Sequence, residues 1–89
     1  MRDTDYATEL ATADIKGCRI ERLHVKALKQ DEIRFSWWKE GHMTNRPLDL
    51  PEDELLALLR LAIEKNVFTE DFRRKLHSLL YDLRGGANG

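Results

Sequence analysis

Three histidines, a single cysteine and a run of three acids are the side chains of this chain most able to do chemistry. His24, His42 and His77 stand far apart, one on the polar face of a strand, one in a turn and one on a helix. Zinc sites legible in sequence use closely spaced ligand pairs, and this chain has none. Cys18 and His24 have the types of a nucleophile and its base. Six positions along one strand nevertheless separate them by roughly 20 Å, too far for proton transfer. Glu52, Asp53 and Glu54 form a carboxylate cluster at the start of a helix, where complementing the helix dipole accounts for them. There is no Gly-rich phosphate loop, nucleophile elbow or Walker-type lysine. These residues predict a non-catalytic chain that needs neither metal nor cofactor.

Recognition has better candidates. Trp37 and Trp38 are adjacent, and neighbouring strand residues face opposite ways. With Trp37 in the core, Trp38 stands on the outer face beside Arg22, His24, Arg34 and Ser36. An exposed tryptophan flanked by arginines is the composition that dominates binding interfaces. The competing reading is a tryptophan covered by the acidic leading residues, with arginine stems stacked on its ring. Arg73, Arg74 and His77 form a second candidate patch on the outer side of the last helix. The expected partner-binding residues are therefore Trp38, Arg22, Arg34, Arg73, Arg74 and His77.

The elements that must hold these residues are set by a change of hydrophobic period. Ile33, Phe35 and Trp37 alternate as in a half-buried strand, whereas beyond Pro51 the leucines arrive at helical spacing. In the strand before, Leu23, Val25 and Ala27 share one face, and Arg22, His24 and Lys26 the other. Ile20 breaks that phase and predicts either a bulge near Glu21–Arg22 or a later start to the strand. Because both apolar sets are odd-numbered, a three-residue loop at Lys29–Gln30–Asp31 is expected, aligning Ala27 with Ile33, Val25 with Phe35 and Leu23 with Trp37. Glu40–Gly41–His42 reads as the next turn, and Met43–Leu50 as a short third strand or extended segment, pushed to an edge by Pro47. Leu55, Leu58, Leu59 and Ala62 stripe a first helix, widened by Leu56, Leu61 and Ile63. Asn66 suits its end. Thr69 caps a second helix, striped by Phe72, Leu76, Leu79 and Leu83 with Leu80 beside them. The expected class is α+β: an antiparallel β-hairpin or three-stranded sheet, then a two-helix hairpin packed on one face.

Composition bounds the rest. Eighty-nine residues with 42% hydrophobic and 35% charged side chains predict one small globular domain. Residues 18–84 are its expected extent, preceded by a flexible acidic arm (1–17) and followed by a disordered Gly-rich tail (85–89). Fifteen basic and 16 acidic residues give no overall positive charge to drive phosphate-backbone binding. No apolar run reaches the roughly 20 residues that span a bilayer, and no apolar leader precedes the domain. With one cysteine there is no internal disulfide. The expected location is the cytoplasm, with no membrane partner.

The stretch LPEDELLALLRLAIEKNVFTEDF, with its Leu-Pro-acid opening, Leu/Ala anchors and break near Asn66–Val67, resembles the helix pair of ribbon-helix-helix repressors over residues 50–83. The resemblance implies a DNA-reading strand just before the first helix. Its place here is taken by Thr44–Asp49, which holds Pro47 and Asp49 and offers only Arg46 as a reader. The family's backbone-contacting turn is replaced by Asn66–Val67–Phe68–Thr69, so no DNA contacts carry over. Nucleic acid has a second route. Six basic residues against three acids lie between residues 19 and 39, around an exposed aromatic. The favoured expectation is a small non-catalytic protein-interaction module. Two helices with more apolar surface than a small sheet can cover predict self-association, as a homodimer. By analogy alone, small motif-free chains of this kind serve as phage or mobile-element accessory or inhibitor proteins that bind a larger partner. A nucleic-acid-binding regulator is the alternative.

Overall fold

The computed structural model describes residues 2–85 and has the α+β order expected: an antiparallel sheet, then two helices. The strands are β1 (Ala7–Ile15), β2 (Cys18–Val25), β3 (Gln30–Lys39), β4 (His42–Met43) and β5 (Leu48–Leu50), followed by α1 (Glu52–Glu64) and α2 (Glu70–Asp82). The chain divides into two compact units, the first running through Leu56 and the second from Ala57, so the boundary falls inside α1. Of the tail expected from Gly85 onwards, residues 86–89 lie outside the described residues.

In the first unit, β1, β2 and β3 lie side by side, and β4 and β5 both pair with the far edge of β3. Residues expected to form a flexible arm instead supply β1, which pairs along its length with β2. The strand signal is there in Ala11, Ala13 and Ile15 alternating with Thr12 and Asp14, but two alanines make it faint. β2 pairs with β3 without the bulge expected near Glu21–Arg22 and without a late start, and a register shift lies instead on β1 at Leu10, where Glu9 pairs with Leu23 and Ala11 with Arg22. The expected third strand is also divided. His42–Met43 pairs with Trp38–Lys39 and Leu48–Leu50 with Ile33–Phe35, with the donor-less Pro47 between the two pieces.

Two tight turns explain why these strands pair in this order. Lys16–Gly17 joins β1 to β2 and Glu40–Gly41 joins β3 to β4, all four residues at positive φ, as two-residue hairpins require. Gly17 is also needed for space, because a Cβ there would meet the Trp38 carbonyl oxygen at 2.5 Å. The close approach is held by the Trp38 amide, which donates to the Gly17 carbonyl at 2.8 Å.

The β2–β3 loop corrects the expected register. It contains four residues, Lys26–Lys29, with Lys29 at φ 53°, so Val25 pairs with Gln30, Leu23 with Glu32 and Ile20 with Phe35. An even loop sets odd positions of β2 beside even positions of β3, and directly paired residues share a face. Leu23 and Val25 therefore face one way, and Ile33, Phe35 and Trp37 the other. Ala27, expected inside, lies exposed in the loop. The buried apolar residues are split accordingly, with Ala7, Leu23 and Val25 on one side and Ile33, opposite Leu50, on the other.

The helix ends match the expected signals. The Pro51 carbonyl accepts from the Leu55 amide, opening α1 just ahead of its acidic first turn. Asn66, at φ 59°, closes it, with the Val67 amide donating back to the Ala62 carbonyl. Thr69 caps α2, its side-chain oxygen accepting from the Phe72 amide at 3.1 Å. No residue of either helix is buried.

Candidate interaction surfaces

The even-parity register builds two unlike sheet faces. One, here the apolar face, carries Ile15, Cys18 and Trp37 in one cross-strand row, and Ala13, Ile20, Phe35 and Leu48 in the next. Toward its other end lie Ile33, Leu50, Arg22 and His24. The opposite face carries Val25 and Leu23 beside a charged strip of Glu9, Glu21, Arg34, Asp49 and Arg19 that ends at Trp38.

Trp37 and Trp38 do lie on opposite faces, but Trp37 is not in a core. Trp37, expected in the core, is 49% exposed on the apolar face. It helps line a shallow concavity of about 570 Å³ with Ile15, Ile20, Phe35 and Leu48, and with Arg46 among the polar lining residues. Trp38, read as either an open recognition ring or one covered by the leading residues, is half-buried, with the Arg19 guanidinium 4.2 Å and that of Arg2 5.4 Å from its ring centroid. Its indole N–H donates to Ser36 Oγ at 2.8 Å. This is the covered-tryptophan arrangement. The exposed apolar residues Ile15, Ile20 and Leu48 were missed in sequence because their partnership depends on cross-strand register.

The six candidate residues do not form one site. Arg34 shares a face with Trp38, yet its guanidinium is engaged side-on by Asp49, Nε at 2.8 Å and Nη2 at 2.9 Å from the two carboxylate oxygens. Asp49 raises the Arg34 pKa further, so this cation is committed to holding β5 on β3. Arg22 is on the other face from Trp38, because Ile33 rather than Arg34 is its neighbour on β3. It bridges Glu52 at 2.7 Å and Asp31 at 3.3 Å, and Glu52 foremost raises its pKa. His24 Nδ1 lies 3.0 Å from Asp31, and this contact, ahead of Arg22, lowers the Asp31 pKa.

In the second unit, Arg73 donates to the Asn66 side chain at 3.2 Å, and Arg74 pairs with Asp71 at 3.5 Å one turn back. His77 is exposed on the same stretch of α2. An exposed surface ion pair such as Arg74–Asp71 contributes little to stability, leaving Arg74 able to re-pair with a partner. Leu58, Leu61, Leu79, Leu80 and Leu83 are each half-exposed or more.

Among the described residues, no group of three or more His, Cys, Asp or Glu is placed to hold a metal ion. No helix among them is long and apolar enough to cross a membrane. The strand preceding the helix pair, β5, is hydrogen-bonded to β3 within the chain. Comparison with protein families, with curated proteins and with solved structures finds no match to this chain.

Proposed function

We propose that this chain is a small non-catalytic protein-interaction module that self-associates and can act as an accessory subunit or inhibitor of a larger protein. The reading is carried by one observation: large apolar side chains stand exposed in both units. Trp37, Ile15 and Leu48 do so on the sheet, and Leu58, Leu61, Leu79 and Leu80 on the helices. Single exposed leucines are ordinary, but contiguous apolar patches on small proteins mark binding surfaces. The polar candidates Arg73, Arg74 and His77 supply the charged rim such interfaces use. Sedimentation velocity across micromolar concentrations tests the reading. A concentration-dependent shift toward a dimer supports it; a strict monomer that also captures no partner counts against it.

A second reading, a nucleic-acid-binding regulator, is favoured by the apolar sheet face. Trp37 is open there, with Phe35 beside it and Arg46 lining the same concavity. Bases stack on such platforms while basic groups meet phosphates. Oligonucleotide binding that weakens steeply with salt supports this reading, and indifference to oligonucleotides at low salt rejects it.

A further inference from the structure

Strand β1 is an edge of its sheet with two unlike halves. Its first half is covered by the residues that precede it. The Glu9 amide donates to the Arg2 carbonyl at 2.8 Å, the Thr4 amide donates to the Ala7 carbonyl at 2.9 Å, and Asp3 bridges Thr8. Beyond the bulge at Leu10, every residue through Ile15 is exposed, and among the described residues nothing pairs with the outer side of this half. The opposite edge of the sheet is divided between the short strands β4 and β5, and short edges resist further pairing. The open half of β1 lacks the usual protections, having neither proline nor lysine, and Ile15 at its end is 73% exposed. The turn decides which backbone groups are free. Ile15 and Cys18 close a two-residue hairpin, so they exchange both of their backbone hydrogen bonds. Alternation then directs the backbone groups of Ala13 and Ala11 toward β2, and those of Thr12 and Asp14 outward.

We propose that the open half of β1 pairs antiparallel with the same segment of a second copy, about a two-fold axis at Ala13, joining two sheets into one. This rests on the self-association reading and names its surface. Outward backbone groups must meet outward backbone groups, so the axis falls at Thr12, Ala13 or Asp14. An axis at Asp14 sets two carboxylates directly opposite each other, which is destabilising. An axis at Thr12 brings Asp14 against Leu10 in the bulge, where the ladder is disrupted. With the axis at Ala13, Thr12 pairs with Asp14 of the second copy and two methyl side chains meet on the axis. Ile15 then lies beside Ala11 of the second copy. Directly opposed residues share a face, so the apolar rows around Trp37 run on from one copy into the next. The segment is thus complementary to itself, as a two-fold interface requires.

Cysteine cross-linking tests the register, in the full chain with Cys18→Ser. Residues opposed on the axis would have Cα atoms about 4.5 Å apart, within the reach of a disulfide. With oxidised glutathione at micromolar protein, Ala13→Cys should therefore give a covalent dimer. Ala11→Cys, which faces Ile15 of the second copy, should stay monomeric on the same non-reducing gel. Thr12→Pro removes only an outward N–H, so it should keep the circular dichroism of the sheet and lose the dimer in sedimentation velocity. If Thr12→Pro does not fold, the cross-linking comparison decides. A chain that dimerises in sedimentation yet cross-links no better through Ala13→Cys than through Ala11→Cys overturns the edge pairing and leaves self-association to another surface. So does a folded Thr12→Pro chain that still dimerises. A chain that never dimerises overturns both.

Discussion

Two guanidinium groups lie over Trp38 while Trp37, its chain neighbour, stands half in solvent. This assigns them different energetic roles. Each cation–π contact contributes about 0.5–2 kcal/mol, depending on how dry it is. Trp38→Ala should therefore be the more destabilising change, lowering the urea midpoint more than Trp37→Ala, which should fall well short of the about 3–5 kcal/mol typical of a buried aromatic. The reverse order in urea titrations would mean that the faces are assigned wrongly. Asp49 offers a second residue-scale test. Removing it leaves Arg34, with only 15% of its side chain exposed, without its paired acceptor. Asp49→Ala should cost about 1.5–3 kcal/mol, the range for a hydrogen-bonded charge. Asp49→Asn, which keeps one acceptor, should cost less. Glu21 adds a pH dependence. Because folding raises its pKa, its contribution is present below the ordinary glutamate value and is lost as pH rises through the raised one. Urea midpoints of the native chain should decline over that window, and Glu21→Gln should flatten the decline.

At the scale of elements, turns decide the architecture. The β1–β2 turn works only because Gly17 accepts positive φ and lets the Trp38 backbone come close. Gly17→Ala meets both objections. The left-handed conformation alone costs about 1–2 kcal/mol, and the Trp38 carbonyl must also move. Loss of amide protection at Trp38 in hydrogen exchange should accompany the loss of stability. The Thr69 cap is a more local matter. Thr69→Ala should cost α2 about 1 kcal/mol, seen as faster exchange of the first-turn amides with the sheet amides unchanged. Both helix boundaries were legible in the sequence because capping is a nearest-neighbour property of Pro51, Asn66 and Thr69. Strand β1 was not, since alanine and threonine alternation carries little hydrophobic contrast until a partner strand is known.

For the whole molecule, the proposed self-association turns on the exposed apolar side chains. Leu80, 65% exposed on α2, tests this directly. Leu80→Glu should leave the stability of the dilute chain within about 0.5 kcal/mol, as surface changes do, while lowering its weight-average sedimentation coefficient at micromolar concentration. An unchanged coefficient would remove α2 from the proposed self-association surface. The same experiment on Trp37→Ala separates the sheet face from the helix face.

The sequence alone determined the class of fold, the order of sheet and helices, the helix caps and the Glu40–Gly41 turn, because each depends on residues close together in the chain. The opposition of Trp37 and Trp38 was equally secure, following from strand geometry alone. Which of them meets solvent was a tertiary decision. It rested on a four-residue loop, Lys26–Lys29, closed by a lysine at positive φ that no local preference announces. One residue of loop length rotated the odd positions of β3 away from those of β2. That rotation parted Arg22 from Trp38, opened the apolar face around Trp37, and brought Arg34 beside Glu21.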